Sequence, residues 1–208
     1  MSLQIPKESR KRQLAELRRS LEAAKGLSTK ELAAQIEMIG FQCQGCKDCC
    51  RGIDNSVVVF PFEIRRILAA TGLKWMEAVE PPSEGEWDSD GCFHTLEWRL
   101  KKKEGSCQFC REDGCRIYEA RPLLCSTYPF FLDQGILCYS ECRGLGRMIE
   151  PAAAKKLAER LIERNITEIN EAISLLEKYH DFERGPQRER GPCVVHDSEG
   201  EHWVSENR

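Results

Sequence analysis

"CQGCKDCC", Cys43 to Cys50, places four thiols in eight residues, the last two adjacent. Cys43, Cys46 and Cys49 stand three apart, so a loop curling around an ion or cluster can aim all three sulfurs inward. Adjacent side chains in an extended or turn segment tend to diverge, so Cys49 and Cys50 are not expected to share one tetrahedral ion; two neighbouring metal atoms or two separate sites fit better. The stretch reads as one half of a metal or iron–sulfur site, and the irregular chain that follows as a region organised by the metal.

The other half is expected from "GSCQFCREDGCRIYEARPLLCSTYPF", which supplies Cys107, Cys110, Cys115 and Cys125, followed by Cys138 and Cys142 in "CYSECRGLG". Soft thiolates select zinc, copper(I) or iron–sulfur clusters over magnesium or calcium, and spacing leaves all three open. Paired C-x-x-C units favour structural zinc. The first unit here is instead a triplet plus one, the C-x-x-C-x-x-C half of a bacterial ferredoxin run without its x-x-x-C-P continuation, and this tilts the reading toward a cluster, a four-iron one included.

Length and composition bound the rest. The 208 residues suit one domain with appendages, and 41% hydrophobic with 31% charged residues is a globular composition. A net charge of -3 argues against broad charge-driven binding to nucleic acid. The start, "MSLQIPKESRKRQLAEL", shows no apolar core of a secretory signal, and no run approaches the ~18 apolar residues of a membrane span. The expected setting is cytoplasmic, with no membrane contact and with a protein partner left open. In a reducing compartment stable disulfides are rare, so the twelve cysteines point to metal.

The pattern along the chain predicts a mainly α fold with a small irregular or β core organised by metal, in which N-terminal helices and a long C-terminal helix flank a cysteine-rich domain. Residues 1–40 form the N-terminal helical region: one helix over 7–25 with Leu14, Leu17 and Leu21 on a stripe, and a second from "STKE", where Ser28 caps and Glu31 can reach back, to Ile39 before Gly40. Residues 41–147 form the cysteine-rich domain. It holds a buried strand in "SVVVF" from Ser56, a helix from Pro61 to Ala70, a helical turn over Trp75–Val79 and an exposed loop in "PPSEGEWDSDG" from Pro81. Residues 148–182 form the C-terminal helix, with a break considered near Asn165. Residues 183–208 read as linker and tail, where Cys193, His196 and His202 are scattered donors able to bind metal but more simply mobile.

The motifs together resemble the YkgJ-like cysteine-cluster family of zinc- or iron-chelating domains. The resemblance rests on "CQGCKDCC", "CQF" at Cys107, "CRIYEARPLLC" from Cys115 to Cys125, "TYPF" at Thr127 and "CRGLG" at Cys142, and spans roughly residues 41–147. It implies eight metal-binding cysteines: Cys43, Cys46, Cys49, Cys50, Cys107, Cys115, Cys125 and Cys142. Cys92, Cys110, Cys138 and Cys193 are additional, and Cys138 competes for the eighth place. Family members commonly carry arginine where this chain has Ser126, a residue still able to donate a hydrogen bond to sulfur.

Arg121 can offset the charge of several thiolates or sit in a surface ion pair, and Tyr118 reads as core packing. No nucleotide-binding glycine loop and no H-E-x-x-H is present, and Cys138 and Cys142 lack the third cysteine of a radical-type methionine-cofactor enzyme. "CQFC" lacks the βαβ context of thiol redox motifs, so no catalytic residue is assigned. The function expected is a metal-binding module with a structural, metal-handling or partner-binding role. The alternative is an iron–sulfur redox component or an accessory of a methyl-transfer or other modifying enzyme.

Overall fold

The computed structural model describes residue 3 and residues 7–51 and 56–205. In chain order the helices are α1 (Lys7–Lys25), α2 (Thr29–Ile39), α3 (Pro61–Thr71), α4 (Trp75–Ala78), α5 (Leu123–Thr127) and α6 (Pro151–Lys178). The strands are short: β1 (Val58–Val59), β2 (Val79–Glu80), β3 (Glu86–Trp87), β4 (Phe93–Leu96), β5 (Trp98–Leu100), β6 (Lys102–Lys103), β7 (Ser106–Cys107), β8 (Cys110–Arg111), β9 (Gly114–Cys115), β10 (Phe130–Asp133), β11 (Ile136–Tyr139), β12 (Cys193–Asp197) and β13 (Gly200–Val204). The fold is mainly helical, with small sheets of two to four strands and, among the described residues, none closed into a barrel.

Two compact units divide the chain, one made of Met1–Arg18, Ser56–Lys101 and Asn170–Arg208, the other of Arg19–Asn55 and Lys102–Ile169. Ten of the twelve cysteines fall in the second unit. Cys92 and Cys193 fall in the first, and both are buried.

In the first unit β1, β5 and β2 form an antiparallel sheet, with Val59 opposite Trp98 and Val79 opposite Leu100. A four-stranded sheet runs in the order β13, β12, β4, β3. β12 pairs parallel with β4, placing Cys193 against Phe93 and Val195 against Thr95, and antiparallel with β13. All five residues of β12 are buried, as suits a central strand with both faces covered. Residues 193–204 are therefore a hairpin built into a sheet, where the sequence suggested a tail. The apolar residues there, Cys193, Val194, Val195, Trp203 and Val204, are too few to mark two strands, and the partner strand lies a hundred residues away, outside any local pattern.

α3 opens at Phe60, whose N–H is accepted by the buried Glu63 carboxylate at 3.1 Å. The acid-rich loop from Pro81 contains β3, which pairs with β4 through Glu86 and His94.

The core of the second unit is a cluster of Leu32, Ala33 and Ile36 from α2, Phe130 from β10, and Ala154, Ala158 and Leu161 from α6. α2 starts at Ser28, whose hydroxyl accepts the Glu31 N–H at 3.3 Å. It stops at Gly40, which donates to the Ile36 carbonyl at 2.8 Å and has φ of 72°. A Cβ at that position would stand 2.5 Å from the Arg147 carbonyl oxygen, so both the left-handed backbone and the close approach call for glycine. α6 runs without a break past Asn165, because its apolar stripe continues through that turn. Among the described residues no helix is long and apolar enough to cross a membrane.

Candidate metal centre

Backbone pairing delivers the first cysteine run. After Gly40, Phe41 makes an antiparallel bridge with Leu145, and Gln42 N–H donates to the Gly144 carbonyl at 2.9 Å. The chain carrying Cys43 thus lies beside the chain carrying Cys142, whose Sγ accepts the Gly144 N–H at 3.4 Å. Phe41 anchors this pair by an edge contact with Phe130 at 5.8 Å. Gly45 and Lys47 both take left-handed backbone, φ 64° and 66°, and turn the chain into a single 3₁₀ turn over Asp48–Cys50.

That turn sets Cys49 Sγ and Cys50 Sγ 4.0 Å apart. Neighbouring cysteines are expected to diverge in extended and turn segments alike, but this tight 3₁₀ turn brings the two sulfurs to one side. Tetrahedral zinc with bonds of ~2.3 Å separates its sulfurs by about 3.8 Å, so this pair matches one edge of such a centre.

The second cysteine group meets the first. Arg51 bridges to Ser106, Lys47 Nζ donates to the Glu112 carbonyl, and Arg143 Nε pairs with Asp48 Oδ2 at 2.8 Å. Cys107 lies on β7, and Cys110 on β8 stands directly opposite Cys115 on β9. Phe109, fully buried, plugs the turn between Cys107 and Cys110, and its carbonyl accepts the Arg116 N–H at 2.9 Å. Cys125 is half-buried on α5, and Cys138 lies on β11 opposite Phe131.

The family model CxxCxxCC, described as a "putative zinc- or iron-chelating domain", matches residues 42–143. The cysteine domain of this chain belongs to the CxxCxxCC family. No curated protein and no solved structure matches the chain.

The electrostatics of the CxxCxxCC domain follow from thiol crowding. The hydrogen bond from Cys50 pulls the Cys49 thiol down to about 7, against burial and with help from Arg121. The same bond, then burial and the charges of Cys49, Cys110 and Cys107, push Cys50 strongly up. Burial raises Cys107, with Cys115 and Cys110 adding to it. Burial also raises Cys115, where Arg121 works the other way. The thiols of Cys49, Cys50, Cys107 and Cys115 are therefore each shifted by a neighbouring cysteine. Tyr128 is raised by burial first and then by Cys142, Cys49 and Cys46, which places those three in its surroundings.

The CxxCxxCC donor set is soft sulfur, the chemistry of zinc and of iron–sulfur clusters, and the Cys49–Cys50 pair fits one metal edge. Among the described residues no group of three or more His, Cys, Asp or Glu side chains converges to hold a metal ion. Cys43 is exposed and lines an open cleft of about 690 Å³ with Phe41, Ile149 and Leu157.

Three side chains sit otherwise than their sequence context suggests. Tyr118 is 58% exposed, and its ring carries the Arg121 guanidinium at 3.7 Å in place of core contacts. Ser126 donates to the Leu123 carbonyl at 2.9 Å, a helical back-bond that takes the place of a bond to sulfur. His196, a tail donor by its sequence context, is 1% exposed within β12. The closeness of Cys110 to Cys115 had a local signal in "CREDGC", where Asp113-Gly114 marks a tight hairpin.

Proposed function

We propose that this domain binds zinc or an iron–sulfur cluster through thiolates drawn from both cysteine groups, with Cys43, Cys46, Cys49, Cys50, Cys107, Cys115, Cys125 and Cys142 as ligands. The observation that carries the reading is the 4.0 Å separation of Cys49 and Cys50. Two thiolates on one metal atom describe a zinc centre or one iron of a two-iron cluster. Four cysteines on a four-iron cluster leave one for each iron, so the pair speaks against the four-iron form.

When bound, the metal supplies a cross-link between the two cysteine-bearing stretches, and an iron cluster adds a redox change that zinc lacks. The chain's own residues prepare that cross-link. The Arg51–Ser106 and Gln42–Gly144 pairings hold the loops in register, and Arg121, held over Tyr118, stabilises thiolate charge at Cys49 and Cys115. The role this supports is a structural or metal-handling module that presents the loaded centre to a protein partner.

The test is elemental and sulfide analysis of anaerobically purified protein beside its visible spectrum, repeated for Cys46→Ser and Cys125→Ser. Stoichiometric zinc or iron that falls in both variants supports a shared centre. Full occupancy in both variants refutes it. Visible absorption that bleaches on reduction and returns on reoxidation favours the redox component over the structural module.

A further inference from the structure

The first unit contains a pocket that the metal chemistry does not use. It has a volume of about 330 Å³ and is lined by Trp75, Met76, Trp98, Glu199, His202 and Trp203 among others. Three of the four tryptophans of the chain meet there. Trp75 is edge-on to Trp98 at 5.7 Å and near-parallel to His202 at 6.2 Å, and His202 is edge-on to Trp98 at 5.9 Å.

The walls are held in place from behind. Asp197, 2% exposed at the end of β12, accepts the Trp98 indole N–H at 2.9 Å on one oxygen. On the other it meets His202 Nε2 at 2.9 Å and accepts the backbone N–H groups of Glu199 and Gly200 at 2.8 and 3.2 Å. One buried carboxylate thereby fixes two of the aromatic walls. Two further features have no account within the packing. The Trp75 indole N–H is buried with no acceptor among the described residues, a costly state. Trp203 lies 66% exposed at the rim.

We infer that this pocket binds a small methylated ammonium, a quaternary cation. Aromatic faces attract cations through their quadrupoles, and Asp197 and Glu199 place acidic groups beside them. A primary ammonium or a guanidinium needs hydrogen-bond acceptors, and the acids here are engaged. Glu199 holds Arg65 by two bonds of 2.6 and 3.0 Å, and Asp197 already has four partners. A quaternary head needs no acceptor. Trp203 at the rim supplies a further face.

The test is calorimetric titration of the full chain, with tryptophan fluorescence alongside, at matched ionic strength. The probes are tetramethylammonium, glycine betaine, a trimethyl-lysine peptide and the neutral isostere 3,3-dimethylbutan-1-ol. Saturable binding of the charged probes, roughly tenfold or more tighter than the isostere, is the expected result. Betaine binding more tightly than the peptide marks a free solute as the ligand; the reverse order marks a methylated side chain. Trp203→Ala, at an exposed position, should weaken all charged probes by roughly tenfold. Absence of saturation, or equal binding of the neutral isostere, overturns the proposal.

Discussion

Arg51 and Ser106 pair as an antiparallel bridge, which sets the residue after Cys50 beside the residue before Cys107. Half a hundred residues separate the two in sequence, and the chain between them belongs largely to the other unit. The Arg143–Asp48 ion pair also ties the first cysteine run to the chain beside Cys142, but it is exposed at both ends, where such pairs contribute little. Backbone pairing, here and between Gln42 and Gly144, is what brings the two cysteine groups together.

Cys110 and Cys138 are both outside the eight cysteines that the family pattern implies, and the structure separates them. Cys110 faces Cys115 across a two-strand hairpin and acts electrostatically on Cys50, Cys107 and Cys115. Cys138 faces Phe131. Cys110→Ser is expected to lower bound metal, and Cys138→Ser to leave it within error of the parent. Metal analysis of the two variants checks this; the opposite order would move the centre toward β11.

Chelation should act on one unit more than the other. The metal-ligating residues proposed all lie in Arg19–Asn55 and Lys102–Ile169, whereas all four tryptophans, Trp75, Trp87, Trp98 and Trp203, lie in the first unit. A structural metal contributes about 10 kcal/mol or more to folding where its site organises the chain. After chelation, proteolysis is expected to cut within 41–55 and 102–147 while residues 56–101 stay protected and tryptophan fluorescence is kept. Cleavage patterns that do not change after confirmed metal loss would remove the case for metal-organised folding.

The helices were open to sequence reasoning because their signals are local. Ser28 and Gly40 bound α2, Pro61 and Gly72 bound α3, and the apolar stripe of α6 needs no partner to be seen. The strands were not. Most have two residues, too few for alternation to register, and β12 owes its burial to parallel pairing with β4. In the candidate site the residue types were legible and the geometry was not. The Cys49–Cys50 spacing depends on a 3₁₀ turn entered through a left-handed Lys47, which no composition rule predicts. Trp75, Trp98 and Trp203 stand far apart in sequence and meet only through the sheets.

Gly40 tests the backbone that carries the first run. Its φ of 72° and the 2.5 Å approach to the Arg147 carbonyl leave no space for a side chain, and Gly146 N–H donates to its carbonyl at 3.1 Å. Gly40→Ala should destabilise the second unit by about 1–3 kcal/mol. Ile36→Ala, in the core cluster of the same unit, should cost about 2–5 kcal/mol. The two differ in metal content: Gly40→Ala shifts the Phe41–Leu145 pairing and should lower occupancy, while Ile36→Ala leaves it intact at temperatures where the protein is folded. Equal occupancy in both would detach the α2 terminus from the site.

Acid should loosen the first unit through His196. Its Nε2 meets His94 Nδ1 at 2.8 Å, and His94 Nε2 meets Asp88 Oδ2 at 2.9 Å, forming a buried chain of two rings and a carboxylate. Around His196 stand His94, the Tyr179 ring at 4.7 Å and Glu201 at 3.8 Å, with His180 and Asp197 contributing charge. Burial first, and the charge of His94 second, pull its pKa down to about 4. An unfolded histidine titrates near 6.5, so between these values the unfolded chain binds the proton and the folded chain does not. Stability is complete above pH ~6.5 and is lost as pH falls toward about 4, by roughly 3 kcal/mol at most. Urea unfolding followed by tryptophan fluorescence from pH 7.5 to 4 measures the loss, and His196→Gln, which cannot take the proton, should flatten it. Parallel pH curves for parent and variant would show that the acid sensitivity lies elsewhere.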